Sequence, residues 1–489
     1  MTDRTAWTRA SREAPEEQGH RERLASFFDE FAHTDERWRS RNRTYHRMIE
    51  SIYGFIVPPE ASVLEIGSGD GDLLSALQPA RGLGIDASPG MVELARLRHP
   101  QLEFHEGTGE RAEIDGTFDY VVLSDVVPYA YDLVRLFRNV RACSHPQTRV
   151  VVHSYSQVWR PIIHVAELLR LKHPKPIVNW VTVQDAANAL DLADFEVVTT
   201  SRRILFPKKV PLLTTFLNGV VANIWPFAHL CLTWWVVARP RPAGATTPSM
   251  SVVVACRNER GNIASIIERT PELPGETEIV FVEGGSTDGT REEVERQIAL
   301  HPERDISLHV QTGKGKGDAV RMGFDEAKHE LLIILDADLS VDPEDLRIFY
   351  DALADGHADF VNGSRLVYSM ETGAMQLLNV AGNKFFSRIF TWIMGQHVKD
   401  TLCGTKGLRA DDYRTLSKGR ADFGLLDPFG DFDLLLGAAR RGLKIADVPV
   451  RYRARTYGST NISRFRHGWL LLHMSVRGFR AFKIRSVRV

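Results

Sequence analysis

Two aspartates one residue apart, Asp336 and Asp338, end the apolar run LLIILDAD. Paired carboxylates at a strand end are hard oxygen ligands for Mg2+ or Mn2+ beside a diphosphate. Just upstream lies Gly313-Lys314-Gly315-Lys316-Gly317, whose flexible glycines and two lysines suit the diphosphate itself. Earlier still, Arg257, Asn258 and Glu259 follow SVVVAC. The run EIVFVE closes on Glu283, a glycine pair and Ser286-Thr287-Asp288-Gly289-Thr290. Small residues there leave room for a flat base and a sugar, and carboxylates accept from ribose hydroxyls or base N–H groups. A second set occupies the first half. VLEI carries Glu65 and turns at Gly67-Ser68-Gly69-Asp70-Gly71-Asp72 into LLSAL, and GLGID ends on Asp86. Glycines at a strand-to-helix turn let the backbone approach a ligand closely, and the helix N-terminus adds N–H donors and a favourable dipole.

These residues need strands to hold them. VLEIG, GLGID, DYVVLSD and RVVVHSY in the first half are short apolar runs separated by helical stretches. SVVVACRNE, EIVFVEG, ISLHVQT and LLIILDAD repeat that pattern in the second. The alternation predicts an α/β fold: two domains, each a mostly parallel sheet with helices on both faces. Ligands of open α/β sheets sit at strand ends, where Asp125, His153 and Tyr155 also fall. His153 is a candidate general base, with a satisfied cleft-edge ring as the alternative. The stretch 238–250, ARPRPAGATTPSM, resists regular structure and divides the chain into halves of about 240 residues. The expected domains are a polar helical extension at 1–42, a first domain at 43–239, a linker at 240–248, a second domain at 249–475 and a basic tail at 476–489.

The chain has 489 residues, 61 Lys plus Arg against 62 Asp plus Glu, and a net charge of −1. Hydrophobic content of 43% and charged content of 25% exclude a disordered chain, a collagen-like repeat and a polytopic membrane protein. Near-neutral charge argues against a nucleic-acid partner. Four cysteines without a CxxC pair suggest a reducing cytoplasm and no zinc site. The polar, charged N-terminus shows no signal peptide. Residues 210–238 contain no Asp, Glu, Lys or Arg, yet Pro211, Asn218, Gly219, Asn223, Pro226 and His229 break the run. It reads as a buried helix followed by a core strand, with a membrane-dipping surface as the alternative. After Asp447 there is no acid and there are ten basic residues. The tail suits peripheral contact with an anionic membrane, or docking on the protein itself.

The GxGxG spacing after Glu65, with Asp72 where a nicotinamide fingerprint wants a third glycine, resembles motif I of class I S-adenosylmethionine-dependent methyltransferases. The resemblance covers roughly 43–239. It implies that Glu65, Gly67, Gly69 and Gly71 cradle the cofactor and that Asp86 binds its ribose hydroxyls. It also implies that Thr108, in Glu106-Gly107-Thr108-Gly109-Glu110, contacts adenine and that Ser124 and Asp125 face the cofactor cleft. The second half, from 249 to about 474, closely resembles the GT-A fold of family 2 glycosyltransferases, nearest the polyprenyl-phosphate hexosyltransferases. This implies nucleotide-sugar contacts from Arg257, Glu259, Glu283, Asp288, Lys316, Asp336 and Arg466. It implies a DxD motif at Asp336 and Asp338, with Asp338 the first choice of direct metal ligand. Glu283-Gly284 stands where many members carry two aspartates, so UDP and GDP both stay open. In Phe429-Gly430-Asp431-Phe432-Asp433 the resemblance implies an acceptor-side base, Asp431 first and Asp433 second; a phosphate acceptor needs none.

Together these resemblances imply a bifunctional enzyme. One half transfers methyl from S-adenosylmethionine. The other transfers a hexose from a nucleotide sugar, with Mg2+ or Mn2+, to a lipid-phosphate or hydroxyl acceptor. The alternative is a glycosyltransferase whose methyltransferase-like half is a non-catalytic docking domain.

Overall fold

The computed structural model describes residues 15–162, 165, 179–242, 244, 246–368, 377–419, 432–453, 457 and 464–487. The chain forms two compact units, Met1–Arg241 with Lys483–Val489, and Pro242–Phe482.

The first unit is built on β1 (Ser62–Ile66), β2 (Arg81–Asp86), β3 (Glu103–Glu106), β4 (Phe118–Ser124), β5 (Ser144–Tyr155), β6 (Phe195–Arg203) and β7 (Thr233–Pro240). Their order is β3-β2-β1-β4-β5-β7-β6. The strands β1 to β5 pair in parallel, and β7 enters antiparallel between β5 and β6. Among its described helices are α1 (Pro15–Ile56), α2 (Asp72–Ala76), α3 (Pro89–Arg98), α4 (Leu133–Ala142), α5 (Val183–Leu192) and α6 (Leu213–Gly219). Successive strand residues point to opposite faces. Leu64, Val121, Leu123 and Val152 therefore enter one apolar cluster, and Val63, Val122, Val151 and Val237 the other. Burial on both faces is why these strands read as continuous apolar runs.

Two local features differ from the sequence reading, and a third decides between its alternatives. First, the expected border at 42/43 falls inside α1, a single helix of 42 residues. Its N-terminal turns are tied to the unit by polar contacts. Glu17 pairs with Arg111 at 2.6 Å, and Asp29 Oδ1 accepts from Gly90 N at 2.9 Å and Ser88 Oγ at 2.5 Å. Second, the strand part of 210–238 is buried throughout as β7, but α6 is not a buried helix. It packs through its polar end: Asn218 Oδ1 accepts from Leu205 N and Phe206 N, both at 2.8 Å, while Leu213 and Phe216 face out. Third, the end of the basic tail is part of the first unit's core. Val487 joins the cluster of Tyr53 and Trp235, and Arg203 Nη1 donates to Ser486 Oγ at 2.9 Å. Burial, with Arg203 nearby, lowers the Lys483 ammonium to a pKa of about 7.

The second unit holds β8 (Met250–Cys256), β9 (Thr277–Glu283), β10 (Asp305–Val310), β11 (Leu331–Ile334), β12 (Phe360–Ser364), β13 (Lys406–Arg409) and β14 (Ile445–Pro449). Their order is β10-β9-β8-β11-β13-β12-β14. The β8, β9, β10 and β11 pairings are parallel, and β13 runs antiparallel between β11 and β12. Its described helices include α7 (Ile263–Arg269), α8 (Thr290–Leu300), α9 (Lys316–Glu326), α10 (Leu346–Ala354), α11 (Leu377–Met394), α12 (Ala410–Lys418), α13 (Phe432–Arg440) and α14 (Arg464–Phe479). Val252, Val254, Phe281, Ile333, Phe349 and Val361 make the centre of its core. Among the described residues no helix is long and apolar enough to cross a membrane.

Candidate active sites

In the first unit a cavity of about 690 Å3 opens at the carboxyl ends of β1, β2, β4 and β5. Glu65, Gly67, Gly69, Asp86, Thr108, Ser124, Asp125, His153 and Tyr155 all line it. The β1–α2 turn makes its floor. Gly69 sits at φ 54°, and a Cβ added there would meet no atom within 4 Å, so the turn leaves open space on the cavity side. Gly71 has a different task. It caps α2 at φ 79°, and a Cβ there would strike the Phe104 ring, so it serves packing. Arg98 holds Asp70 at 2.5 Å and His99 holds Asp72 at 2.9 Å, which stiffens the turn. Asp86 Oδ2 accepts from Gly69 N at 2.8 Å and its Oδ1 from Ser88 N at 3.0 Å. Burial raises the Asp86 pKa against those two N–H donors.

At the far wall, Asp125 follows β4 at φ 56°, an uncommon left-handed conformation for a non-glycine residue. Its Oδ1 accepts from Ser154 Oγ at 3.1 Å. His153 is 1% exposed, and its Nδ1 lies 3.0 Å from Tyr53 Oη. Its ring stacks on Trp235 at 4.5 Å. That packing fixes the imidazole as a wall of the cavity. Sequence reasoning missed the opposite wall, which α1 supplies through Phe27, Phe28, Tyr45, His46 and Glu50. The only signal was aromatic pairs in a polar stretch, which says nothing about what they face. Tyr45 stacks on Tyr155 at 5.7 Å, and burial raises its phenol pKa well above the ordinary value.

The cofactor fit rests on two observations. Gly69 leaves the floor open. Asp86, on the lining, puts a carboxylate beside that turn through its bond from Gly69 N. A carboxylate at that place suits a ligand with hydroxyl donors.

In the second unit the sequence-predicted residues gather at the carboxyl ends of β8, β9 and β11. Past β8, Asn258 takes φ 59° and its Oδ1 accepts from Thr287 N at 2.9 Å, joining the Arg257–Glu259 loop to the one after β9. Glu259 Oε2 accepts from Asn262 Nδ2 at 2.7 Å. Asp288 Oδ2 accepts from Arg260 N at 3.2 Å and from Tyr457 Oη at 3.3 Å. Burial opposes ionisation of Glu283, but the Ser286 donors outweigh it and hold the carboxyl below its usual range.

Lys316, at the start of α9, reaches past β11 and binds Asp336 Oδ1. Burial opposes ionisation of Asp336 as well. Lys316, with Arg365 and Lys406 behind it, nevertheless keeps its carboxyl below the ordinary value. Asp338 is 9% exposed, and its Oδ1 accepts from Ser340 N at 3.0 Å. Leu339 between them takes φ 53°. Non-glycine residues in this region mark backbone strain, and three of the eight such residues among those described, Asp125, Asn258 and Leu339, follow a strand's ligand end. The donor set, two carboxylates one residue apart at the end of β11, fits a hard divalent cation.

The later loops close on this group. Arg365 forms a bidentate pair with buried Asp400, at 2.8 and 3.0 Å, and Asn383 adds a third bond at 2.6 Å. A Cβ at Gly404 would collide with both Asp336 and Lys316. Gly404→Ala should therefore displace the Lys316–Asp336 pair and cut turnover by about tenfold or more, with the melting temperature nearly unchanged. Wild-type kinetics in that variant would refute the close approach. Asp433 is buried in the first turn of α13, where its Oδ1 accepts from Leu434 N at 2.8 Å. Asp431 and the side chain of Arg466 lie outside the described residues.

The two folds and their sites define a two-domain transferase: a Rossmann-like methyltransferase sheet and a GT-A sheet. The family model "Glycosyl transferase family 2" matches residues 251–415, and "Methyltransferase domain" matches 26–200. Glycosyltransferase AglJ of Haloferax volcanii is 31% identical over 230 residues, 46% of this chain and 70% of that protein. The Dolichyl-phosphate hexose transferase of the same organism is 30% identical, covering 46% of this chain and 90% of its own length. Among solved structures, the putative methyltransferase in complex with the Haloferax volcanii Trm112 activator aligns at TM-score 0.35 and 20% identity. That alignment covers 44% of this chain and 97% of that one. The chain belongs to glycosyl transferase family 2 and carries a methyltransferase domain ahead of that part.

Proposed function

We propose that the second unit transfers a hexose from UDP or GDP to a lipid-linked phosphate, and that the first transfers methyl from S-adenosylmethionine. The observation that carries the glycosyl reading is the cluster of Asp336, Asp338 and Lys316 closed over by Gly404. Likeness to a dolichyl-phosphate hexose transferase favours the lipid-phosphate acceptor. Asp336 and Asp338 would hold the divalent cation, which when bound supplies Lewis-acid stabilisation of charge on the departing diphosphate. The chain's own groups do the rest. Glu259, Glu283 and Asp288 offer carboxylates to the base and ribose, and Lys316 and Arg257 offer positive charge to the phosphates. A phosphate acceptor is already anionic and requires no base. With a hydroxyl acceptor, Asp431 or Asp433 would take the proton. A panel of UDP- and GDP-sugars, with and without Mn2+ and with lipid-phosphate and soluble acceptors, tests this reading. Metal-dependent release of one nucleotide, stimulated by the lipid phosphate, is expected. No turnover with any donor would overturn it.

The methyl reading rests on the cavity of about 690 Å3, a size suited to a nucleoside cofactor, with the β1–α2 turn as floor and Asp86 on its rim. Asp86→Ala removes an acceptor of ribose hydroxyls and should weaken S-adenosylmethionine binding by about ten- to a hundredfold in calorimetry, on charged hydrogen bonds worth about 1.5–3 kcal/mol. No binding by the parent protein would leave this unit as a docking domain.

A further inference from the structure

The carboxyl-end rim of the first sheet carries an apolar excursion that the fold does not use. Between the end of β6 and the start of β7 the chain forms α6 and two short 3-10 turns. Leu212 is 87% exposed, Trp225 80% and Phe216 56%, and Ile224, Phe227 and Leu230 are close to half exposed. The inward side is made instead by Asn218, Gly219 and Ala222, all buried. Trp159 Nε1 donates to Leu230 O at 2.9 Å, which joins the excursion to the segment after β5. There Val158 and Ile162 are also more than half exposed. Leu212 takes φ 61°, a conformation L side chains rarely adopt, and gains no packing from it. An apolar surface of this extent marks an interaction site.

Charge and chemistry indicate the occupant. From 197 to 241 the sequence holds no Asp or Glu, and Arg202, Lys208 and Lys209 are exposed bases on this rim, whereas Arg239 and Arg241 pair with Glu196 and Asp191 at the other end of β7. Lys208 and Lys209 stand at the foot of the excursion. Exposed Trp, Phe and Leu beside lysines is the composition that enters the headgroup region of an anionic bilayer. The backbone is compatible with such a medium. Thr214 N donates to Val210 O, Phe216 N to Leu212 O and Ala228 N to Ile224 O, at 2.8–3.0 Å, so these amides are satisfied internally.

We propose that residues 205–230 are a docking element for the surface of an anionic lipid bilayer. The element also places the first unit's cavity beside that surface. Tyr155 lines the cavity, and the next residue, Ser156, donates its N–H to Leu232 O at 2.7 Å, at the base of the excursion. The methyl acceptor is accordingly lipid-borne. That corollary rests on the methyltransferase reading, whereas the docking does not.

The test is co-sedimentation of the full chain with vesicles of phosphatidylcholine containing phosphatidylglycerol, and of phosphatidylcholine alone. Binding to the anionic vesicles, reduced by salt, is expected. Leu212→Asp with Phe216→Asp and Trp225→Asp should lower it by at least about tenfold, since each change withdraws apolar area from the lipid. S-adenosylmethionine affinity and the melting temperature should not move, because the three side chains lie outside the core. Lys208→Glu with Lys209→Glu should abolish the preference for anionic lipid. Hydrogen exchange on the unaltered chain needs no variant: amides at 210–230 should slow when anionic vesicles are added. Any of these results would overturn the proposal: a wild-type protein left in the supernatant, unchanged exchange at 210–230, or undiminished binding by the triple variant. The last would hand the contact to the basic tail. A dimer dissolved by the triple variant with vesicle binding unaltered would make the patch a self-association surface, and would overturn the proposal too.

Discussion

Asp338→Ala is expected to lower metal-dependent nucleotide-sugar turnover by about a hundred- to a thousandfold, the usual cost of removing one group that stabilises developing charge. Asp338 is the less exposed of the two carboxylates, and its position is set by Ser340 N and by the left-handed backbone of Leu339. Its removal empties one side of the donor pair while Asp336 stays bound to Lys316. The fold should survive, since the bond from Ser340 N is worth about 1 kcal/mol and Asp338 lies outside the apolar core. Release of UDP or GDP across a Mn2+ titration is the measurement. Undiminished turnover would remove Asp338 from the metal role, and the affinity for nucleotide with and without Mn2+ separates binding from chemistry.

Asp400→Ala should act on stability. The substitution leaves the Arg365 guanidinium buried and without its bidentate partner, which costs about 3–5 kcal/mol in pairs of this kind. A denaturant melt of the full chain should show one transition shifted sharply down. A shift under about 1 kcal/mol would show that the pair does not hold this unit together. The same pair sets a pH dependence. Burial works against ionisation of Asp400, but Arg365 and Asn383 overcome it and hold the carboxyl at a pKa of about 2. The unfolded carboxyl titrates near 3.9, so the folded value is depressed. The contribution is therefore complete above about pH 4 and disappears as pH falls through about 2, on the order of 2–3 kcal/mol in all. Asp400→Asn should flatten the acid limb of the stability curve. A curve with the parent's slope would assign that acid sensitivity to other groups.

What could be read without coordinates was local. Leu64, Val121, Val252 and Ile333 lie in apolar runs because parallel strands bury both faces, and such runs announce themselves residue by residue. The groups at strand ends are equally legible. Gly67, Gly69 and Asp86, and Asp336 with Asp338, sit within four residues of the strand that carries them, so spacing alone places each set on the rim of its own sheet.

The rest depended on how distant segments meet. No spacing rule links Phe27 or Tyr45 to a cavity whose floor begins near residue 67; a long helix had to lay them there. The orientation of α6 came out opposite to its composition. Asn218 found three backbone partners, at Leu205 N, Phe206 N and Phe206 O, and those bonds turned the apolar side outward. His153, a candidate base in the sequence, stands stacked on Trp235 with Tyr53 edge-on beside it. Gly404 gained its meaning only from lying against Asp336 and Lys316. The basic C-terminal end ran back into the first unit, where Val487 fills the core beside Tyr53. The sequence by itself determined the two sheets and the residues at their rims, because period and turn chemistry are short-range. The tertiary structure decided which walls, partners and surfaces those rims acquire, because burial pairs residues that the chain keeps far apart.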